Sequence, residues 1–176
     1  VEEGTTNRVT NPFFGGTYSS GLAPNWTVYG TPTVYENTNL TYITYGSKSQ
    51  RVVASAGNQG ISQNFTISNG VSYAAKVRVY IVSGRVRLDC KFGTSWGAAT
   101  ISPVGYTGWW EVSVGRVSDG TDGRFYVYSY GDAAEFYVDA AQYEAKAYST
   151  SFIDGTRSPE TLTIPTAGVL NENKFD

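Results

Sequence analysis

At 176 residues the chain is long enough for one well-buried domain, and that length argues against two full ones. Thirteen basic residues against fifteen acidic leave a formal charge of −2, so nothing steers the chain toward nucleic acid or an anionic membrane. Charged residues make up only 16% of the chain, below the roughly 25% of ordinary soluble domains, while Gly, Thr, Ser, Tyr and Val abound, the balance of an all-β chain with many turns. Cys90 is the only cysteine, which excludes an intrachain disulfide and a cysteine-based zinc cluster. No run approaches the roughly 20 apolar residues of a membrane-spanning helix. The chain starts at Val1 without a basic, apolar leader and contains no methionine, as expected of a processed or excised module.

Short alternating runs separated by Gly, Asn, Ser and Pro predict strands throughout, with no heptad, fixed-period repeat or helical periodicity. In chain order they are a first strand within Trp26–Tyr29, then Thr33–Glu36, Gln50–Ala54 and Gly60–Ser68. In Ser72–Val82, Ala75, Val77, Val79 and Ile81 alternate with Lys76, Arg78, Tyr80 and Val82. In Arg85–Phe92, Val86, Leu88, Cys90 and Phe92 alternate with Arg85, Arg87, Asp89 and Lys91. Side chains alternate across a strand, so the first set of each is expected in the core. Val112 and Val114 mark the inner face of Trp109–Val117, taking Trp110 inward and leaving Trp109, Glu111 and Ser113 outside. Arg124–Tyr130 buries Phe125 and Val127 and turns Arg124, Tyr126, Tyr128 and Tyr130 the other way. Ala134–Lys146 is the last strand, and Trp26 is a further core ring.

This pattern predicts an all-β, antiparallel two-sheet β-sandwich, a jelly roll. Beyond Tyr148 the chain is rich in Ser, Thr and Pro and contains Gly155-Thr156-Arg157-Ser158-Pro159, the composition of a linker or of the start of another module. The expected organisation is an N-terminal linker over residues 1–8, one module over 9–148, and a C-terminal extension or linker over 149–176.

Arg78, Tyr80, Arg87, Asp89, Trp109, Glu111, Tyr126, Tyr128 and Tyr130 are expected to form one outer set. Flat rings with hydroxyl tips on a rigid sheet suit stacking on sugar rings, and planar guanidinium groups suit paired hydrogen bonds to vicinal hydroxyls. The same rings would also serve plain cross-strand packing. Asp89 and Glu111 raise the question of a glycosidase pair, which needs two carboxyl groups flanking one bond. Against it stands an ion-pair ladder with Arg78 and Arg87. Gly93-Thr94-Ser95-Trp96-Gly97 matches the serine-hydrolase elbow, but the chain has no histidine base and no predicted helix, so a loop tip is expected. Trp96 there is either a stacking ring at a groove edge or a plug on the end of the sandwich.

Asn11-Pro12-Phe13-Phe14, Asn25-Trp26-Thr27-Val28, the run from Gln63 to Tyr73, Trp110-Glu111-Val112-Ser113-Val114 and Phe136-Tyr137-Val138-Asp139 fall in one order. Over roughly residues 9–148 this order resembles carbohydrate-binding modules of the cellulase- and xylanase-associated type, which share the galactose-binding-like jelly roll. The resemblance implies a sheet curved into a groove for a glycan, and a structural calcium. Metal ligands of that family include a Glu after the Asn-Pro-x-Phe stretch, where this chain has Gly15, and the Asp of Tyr-Val-Asp, which Asp139 retains. Backbone carbonyls and waters would have to complete the six to eight oxygens calcium takes. The ending from Tyr148 to Arg157 is similar to tails that follow such modules in bacterial surface proteins and phage tail proteins. The expectation is therefore a non-enzymatic module that anchors an attached enzyme or particle to a polysaccharide, flanked by other modules and extracellular, on a cell surface or on a virion. Aromatic and arginine enrichment also marks protein interfaces, so the alternative is a structural or assembly domain of a phage tail or surface protein.

Overall fold

Residues 4–97 and 99–159 are described in the computed structural model of the chain, so residues 1–3 of the expected N-terminal linker and 160–176 of the expected extension lie outside the described residues. Eleven elements carry the architecture: β1 Thr5–Thr6, β2 Thr27–Tyr29, β3 Thr33–Asn37, β4 Ser49–Ala54, β5 Gly60–Thr66, β6 Ser72–Ser83, β7 Val86–Phe92, β8 Thr100–Ile101, β9 Gly108–Val117, β10 Asp122–Ser129 and β11 Ala134–Glu144, with a short β12 at Thr156–Arg157 closing against β1. One sheet has the order β2-β5-β10-β7-β8 and the other β3-β4-β11-β6-β9, and all pairings are antiparallel. The strands read from alternation are all present and agree with the observed bounds to within two residues.

From β4 onward nearly every connection leaves one sheet for the other, the habit that makes a sandwich from strands too half-buried to stand alone. Val52, Val77, Val79, Ile81, Phe136 and Val138 of the β11 sheet meet Ile61, Val86, Leu88, Cys90, Phe92, Phe125 and Val127 of the β10 sheet in one core. Val112 and Val114 are buried with them, as parity requires. Trp26 stacks on Phe14 at 4.8 Å inside that core, while Trp110 is half-buried and packs against it. Burial of so many large apolar side chains, each contributing about 1.5–3 kcal/mol, supplies the fold's main driving force.

The two ends of the described chain are packed onto the sandwich. Asn7 accepts at Oδ1 from Val9 N and Tyr143 N and donates through Nδ2 to Ala141 O and Ile153 O. Glu144 is fully buried and accepts from Gln142 Nε2 at 2.7 Å, Thr150 N at 2.6 Å and Thr150 Oγ1 at 2.8 Å. Residues 4–8 and 149–157, expected as linkers, thus clasp each other across β1 and β12. Alternation did not show this, because the clasp is made by single side chains on irregular backbone.

Candidate functional site

The β7–β10 ladder sets outward side chains in opposed pairs. Arg87 faces Tyr128, Asp89 faces Tyr126 and Lys91 faces Arg124. One step further, Tyr130 N donates to Arg85 O at 2.8 Å, which brings Arg85 opposite Tyr130. On the other flank of β10, Gly60 of β5 lies opposite Tyr128 and Tyr29 of β2 lies opposite Gly60. A Cβ at Gly60 would stand 2.0 Å from Val127 O, so only glycine lets the backbones approach here. Tyr29 fills the space above it, meeting Tyr126 edge-on at 4.9 Å and Tyr128 at 5.3 Å.

Phe125 and Val127 are buried between the sheets and Tyr126 is half-buried on the outside, as expected. Tyr128 also faces outward, but it is only 6% exposed and is not a free stacking ring. Tyr29 packs on it, the Arg87 guanidinium lies over it at 5.8 Å, and its hydroxyl donates to Asp89 Oδ2 at 3.1 Å. Burial pushes the Tyr128 phenol up, and the Asp89 charge pushes the same way against Arg87. Asp89 is as buried as Tyr128 and holds Arg87 Nη2 at 2.9 Å. Asp89 Oδ1 and Arg87 Nε find no partner among the described residues. At the far end of the ladder Lys91 and Arg124 oppose each other, an unfavourable pairing of like charges relieved by Asp122, which binds Lys91 Nζ at 2.7 Å and Arg124 Nη2 at 2.9 Å.

Trp96 caps this face from the β7–β8 loop. It is 47% exposed, bridges to Lys91 and meets Tyr126 edge-on at 5.5 Å. The loop is tied down from the β9–β10 turn: Asp119 Oδ1 accepts from Thr94 N at 2.7 Å and Ser95 N at 3.1 Å, and Arg116 donates to Trp96 O. Hydrogen bonds from Ser95, then Thr94, hold the Asp119 carboxyl well below the usual range, so the tie persists at any ordinary pH. Gly93–Gly97 is a loop tip in which Gly97 N donates to Cys90 O, with no helix following it and no elbow.

Four residues expected on this face stand on the opposite side of the molecule. Arg78 and Tyr80 of β6 pair with Glu111 and Trp109 of β9 in the β11 sheet. The expected single outer set is therefore two sets, one on each outer face. Alternation separates inward from outward residues, but β6 and β7 belong to different sheets, so their outward sides point in opposite directions. Asp89 and Glu111 consequently cannot flank one bond, which removes the glycosidase pair. On that second face Arg78 Nε lies 3.3 Å from Glu111 Oε2, Arg51 Nη2 lies 2.8 Å from Glu135 Oε1, and Tyr80 meets Trp109 edge-on. A 3-10 turn at Leu40–Tyr42 lays Tyr42 flat on Tyr137 at 4.0 Å and against Tyr80.

Asp139 is fully buried beneath that turn's continuation. Its Oδ2 accepts from Thr44 N at 2.6 Å and Tyr45 N at 2.9 Å, and its Oδ1 from Ala140 N at 2.8 Å, at a bulge where Ala140 has φ 50°. Burial raises its pKa while those backbone donors lower it. Three N–H groups directed at one carboxylate oppose a cation as much as they favour an anion. The nearby carbonyls of Phe14 and Ser49 are both engaged by the Tyr18 hydroxyl, Gly15 has no side chain, and the described residues hold no group of three metal-ligating side chains. These residues do not fit the oxygen shell of a calcium ion.

Sequence reasoning placed Tyr130 in the outer set but passed over Tyr29, Arg85, Lys91 and Asp122 as site residues. Parity alone would have added Arg85 and Lys91, which alternate with the core of β7. Tyr29 needs the β2–β5 pairing, which no local pattern reveals.

No family model matches the chain, and no curated protein matches it. Solved structures do. The carbohydrate-binding module TmCBM61 in complex with beta-1,4-galactotriose superposes with a TM-score of 0.61 at 16% identity, covering 80% of this chain and 99% of that one. The CBM22-1 xylan-binding domain of Xyn10C from Paenibacillus barcinonensis gives 0.59 at 16% identity, over 84% and 99%. The Stig cyclase Fisc from Fischerella sp. TAU, in complex with an indole derivative, gives 0.65 at 14% identity, over 84% and 100%. The fold is thus the jelly roll that carbohydrate-binding modules use, and it is shared with a cyclase.

Proposed function

We propose that this chain binds carbohydrate without catalysis, through the outer face of the β10 sheet, and holds whatever it is attached to at a polysaccharide outside the cell or on a cell or virion surface. The observation that carries the reading is the group of three rings Trp96, Tyr126 and Tyr29, set edge to face on the outer side of the β10 sheet beside the ion-paired Arg87 and Asp89. Rings supply flat apolar area with little side-chain entropy to lose, and the adjoining charged groups are oriented for hydroxyls. The modules TmCBM61 and CBM22-1, whose partners are a galactotriose and xylan, support it by sharing the fold. Raising the local concentration of an attached partner is sufficient function for such a module.

One observation favours a second reading, small-molecule chemistry of the kind a cyclase performs: the buried Asp89 carries an oxygen without a partner next to aromatic rings. The geometry argues against it, because the other carboxylate oxygen is already held by Arg87 Nη2 and by the Tyr128 hydroxyl.

Calorimetry with soluble galactan and xylan tests the proposal. Trp96→Ala and Tyr126→Ala should each weaken binding while leaving the unfolding midpoint of Trp96→Ala close to wild type. Undiminished binding in both variants would move the site off this face.

A further inference from the structure

The outward column of β7 and β10 carries Arg85, Arg87, Lys91 and Arg124 against Asp89 and Asp122, two positive charges in excess on a chain whose total is −2. The excess is not spread evenly. Asp122 serves Lys91 and Arg124 together, and Asp89 serves Arg87. Arg85 has no carboxylate partner among the described residues; it donates through Nε to Ser102 O at 3.2 Å and lies over the Tyr130 ring at 5.3 Å. Arg87 lies over the same ring at 5.7 Å, and its Nε is buried without a partner among the described residues. Two guanidinium groups thus share one tyrosine ring while only one of them has an acid. The ring covers the two guanidinium groups without neutralising them, and a planar guanidinium that lacks an acid is suited to pair with an oxyanion.

We propose that Arg85, Arg87 and Tyr130 form an anion subsite at one end of the aromatic face, and that the glycan this face takes carries acidic groups, a uronate carboxylate or a sulfate ester. This rests on the carbohydrate reading above and gives it a substrate class. A neutral glycan would occupy the rings of Tyr126 and Trp96 but would leave Arg85 without a counter-charge. On the opposite face Arg51 and Arg78 each have their own glutamate, while Lys76 stands without an acid, donating to Thr150 O at 2.6 Å over the Phe152 ring.

The test compares, with the full chain, polygalacturonate, its fully methyl-esterified form, dextran sulfate, unsubstituted dextran, a neutral galactan and duplex DNA by calorimetry at two ionic strengths. The expected result is binding of an acidic polymer at least about tenfold tighter than its uncharged counterpart, the scale of one charge-assisted hydrogen bond, weakening as salt rises. Preference for polygalacturonate over its ester identifies a carboxylate; preference for dextran sulfate over dextran identifies a sulfate. Arg85→Gln, which keeps the first methylenes of the stem and removes the charge, should abolish the difference between acid and ester, with its unfolding midpoint measured on the same sample. Equal affinity for acid and ester and for sulfated and plain dextran overturns the subsite while neutral binding keeps the carbohydrate reading alive. Binding of none of the polysaccharides sinks both. DNA held as tightly as the acidic glycan would reduce the subsite to a general basic patch and overturn the assignment, as would an Arg85→Gln variant that folds and retains the full preference.

Discussion

The two outer faces of the sandwich are built from the same residue types and end in different states. On the outer face of the β11 sheet Arg51 pairs with Glu135 and Arg78 with Glu111, Lys76 is held by Thr150 O and the Phe152 ring, and Tyr137 is covered by Tyr42. On the β10 sheet basic side chains outnumber acids, Arg85 has no acid, and Trp96 stands half exposed above Tyr126. Composition alone does not separate these faces. What separates them is how the guanidinium groups are paired: on the β11 face Arg51 and Arg78 each meet one glutamate, whereas on the β10 face Arg85 and Arg87 share the Tyr130 ring and only Arg87 has an acid. An arginine with its own carboxylate has completed its charge pairing on folding, whereas a guanidinium without an acid retains capacity for an anionic ligand.

The largest effects expected come from rings that face outward yet are buried, one on each side. Tyr128→Ala and Tyr137→Ala should each cost about 3–5 kcal/mol of stability in denaturant unfolding, the range for removing a large buried aromatic side chain. Tyr128→Phe should cost about 1–3 kcal/mol, because Asp89 loses a hydroxyl donor in a buried setting. Parity by itself treats Tyr128 as a surface ring whose removal stays within about 0.5 kcal/mol. An unfolding curve for Tyr128→Ala that overlays wild type would restore that view and break the symmetry between the faces.

Next in size is binding. Trp96→Ala should lower polysaccharide affinity by about 1–3 kcal/mol, as for truncation of an interface anchor, while Trp109→Ala leaves it unchanged. Trp109 was part of the outer set read from alternation, so the pair of variants asks which face takes the ligand. Titrations in which Trp109→Ala loses affinity and Trp96→Ala does not would exchange the roles of the two sheets.

That exchange turns on what alternation encodes. The inward set, from Val77 and Leu88 to Phe125 and Val127, was legible because period two survives in any antiparallel sandwich, and it gave the strands and the fold class directly. The outward set was legible strand by strand but not as a surface. Whether Arg87 and Arg78 share a face depends on which sheet each strand joins, and that is a property of pairings between β7 and β10 and between β6 and β9. The clasp of Asn7, Glu144 and Thr150 was hidden for another reason: its members lie outside or at the ends of the regular strands, where no periodicity marks a buried polar residue.

A smaller effect should come from the charged end of the ladder. Asp122→Asn leaves Lys91 and Arg124 opposed, and the loss should reach at most about 1 kcal/mol because the group is well exposed and screened. Hydrogen bonds from Arg124, then Lys91, hold the Asp122 carboxyl below its ordinary range. A carboxyl depressed in this way stabilises the folded chain above that range, and the contribution is lost as pH falls through the lowered value. The gap between wild type and Asp122→Asn should therefore be full at neutral pH and close only in strong acid. Thermal melts across that window check the sign, and a gap that widens in acid would contradict it.

The smallest expected effect is none. A cation that binds only the folded chain raises its stability by mass action, so removing a structural calcium lowers the melting midpoint. Around Asp139 the place such an ion would need is held by Thr44 N, Tyr45 N and Ala140 N, and the neighbouring carbonyls accept from Tyr18. Lys48 supplies a fixed positive charge beside them, bonding Glu36 at 2.7 Å and Gly16 O at 2.8 Å. The loop before β4 is thereby fastened to the first turns of the chain by hydrogen bonds and one ammonium group. Melting in excess chelator and in millimolar calcium should give the same midpoint, and elemental analysis of the purified chain should find no stoichiometric metal. A drop in midpoint on chelation, recovered by calcium and absent in Asp139→Ala, would mean that Asp139 turns from its amide donors to a metal and that this side of the molecule, too, has a partner still to take.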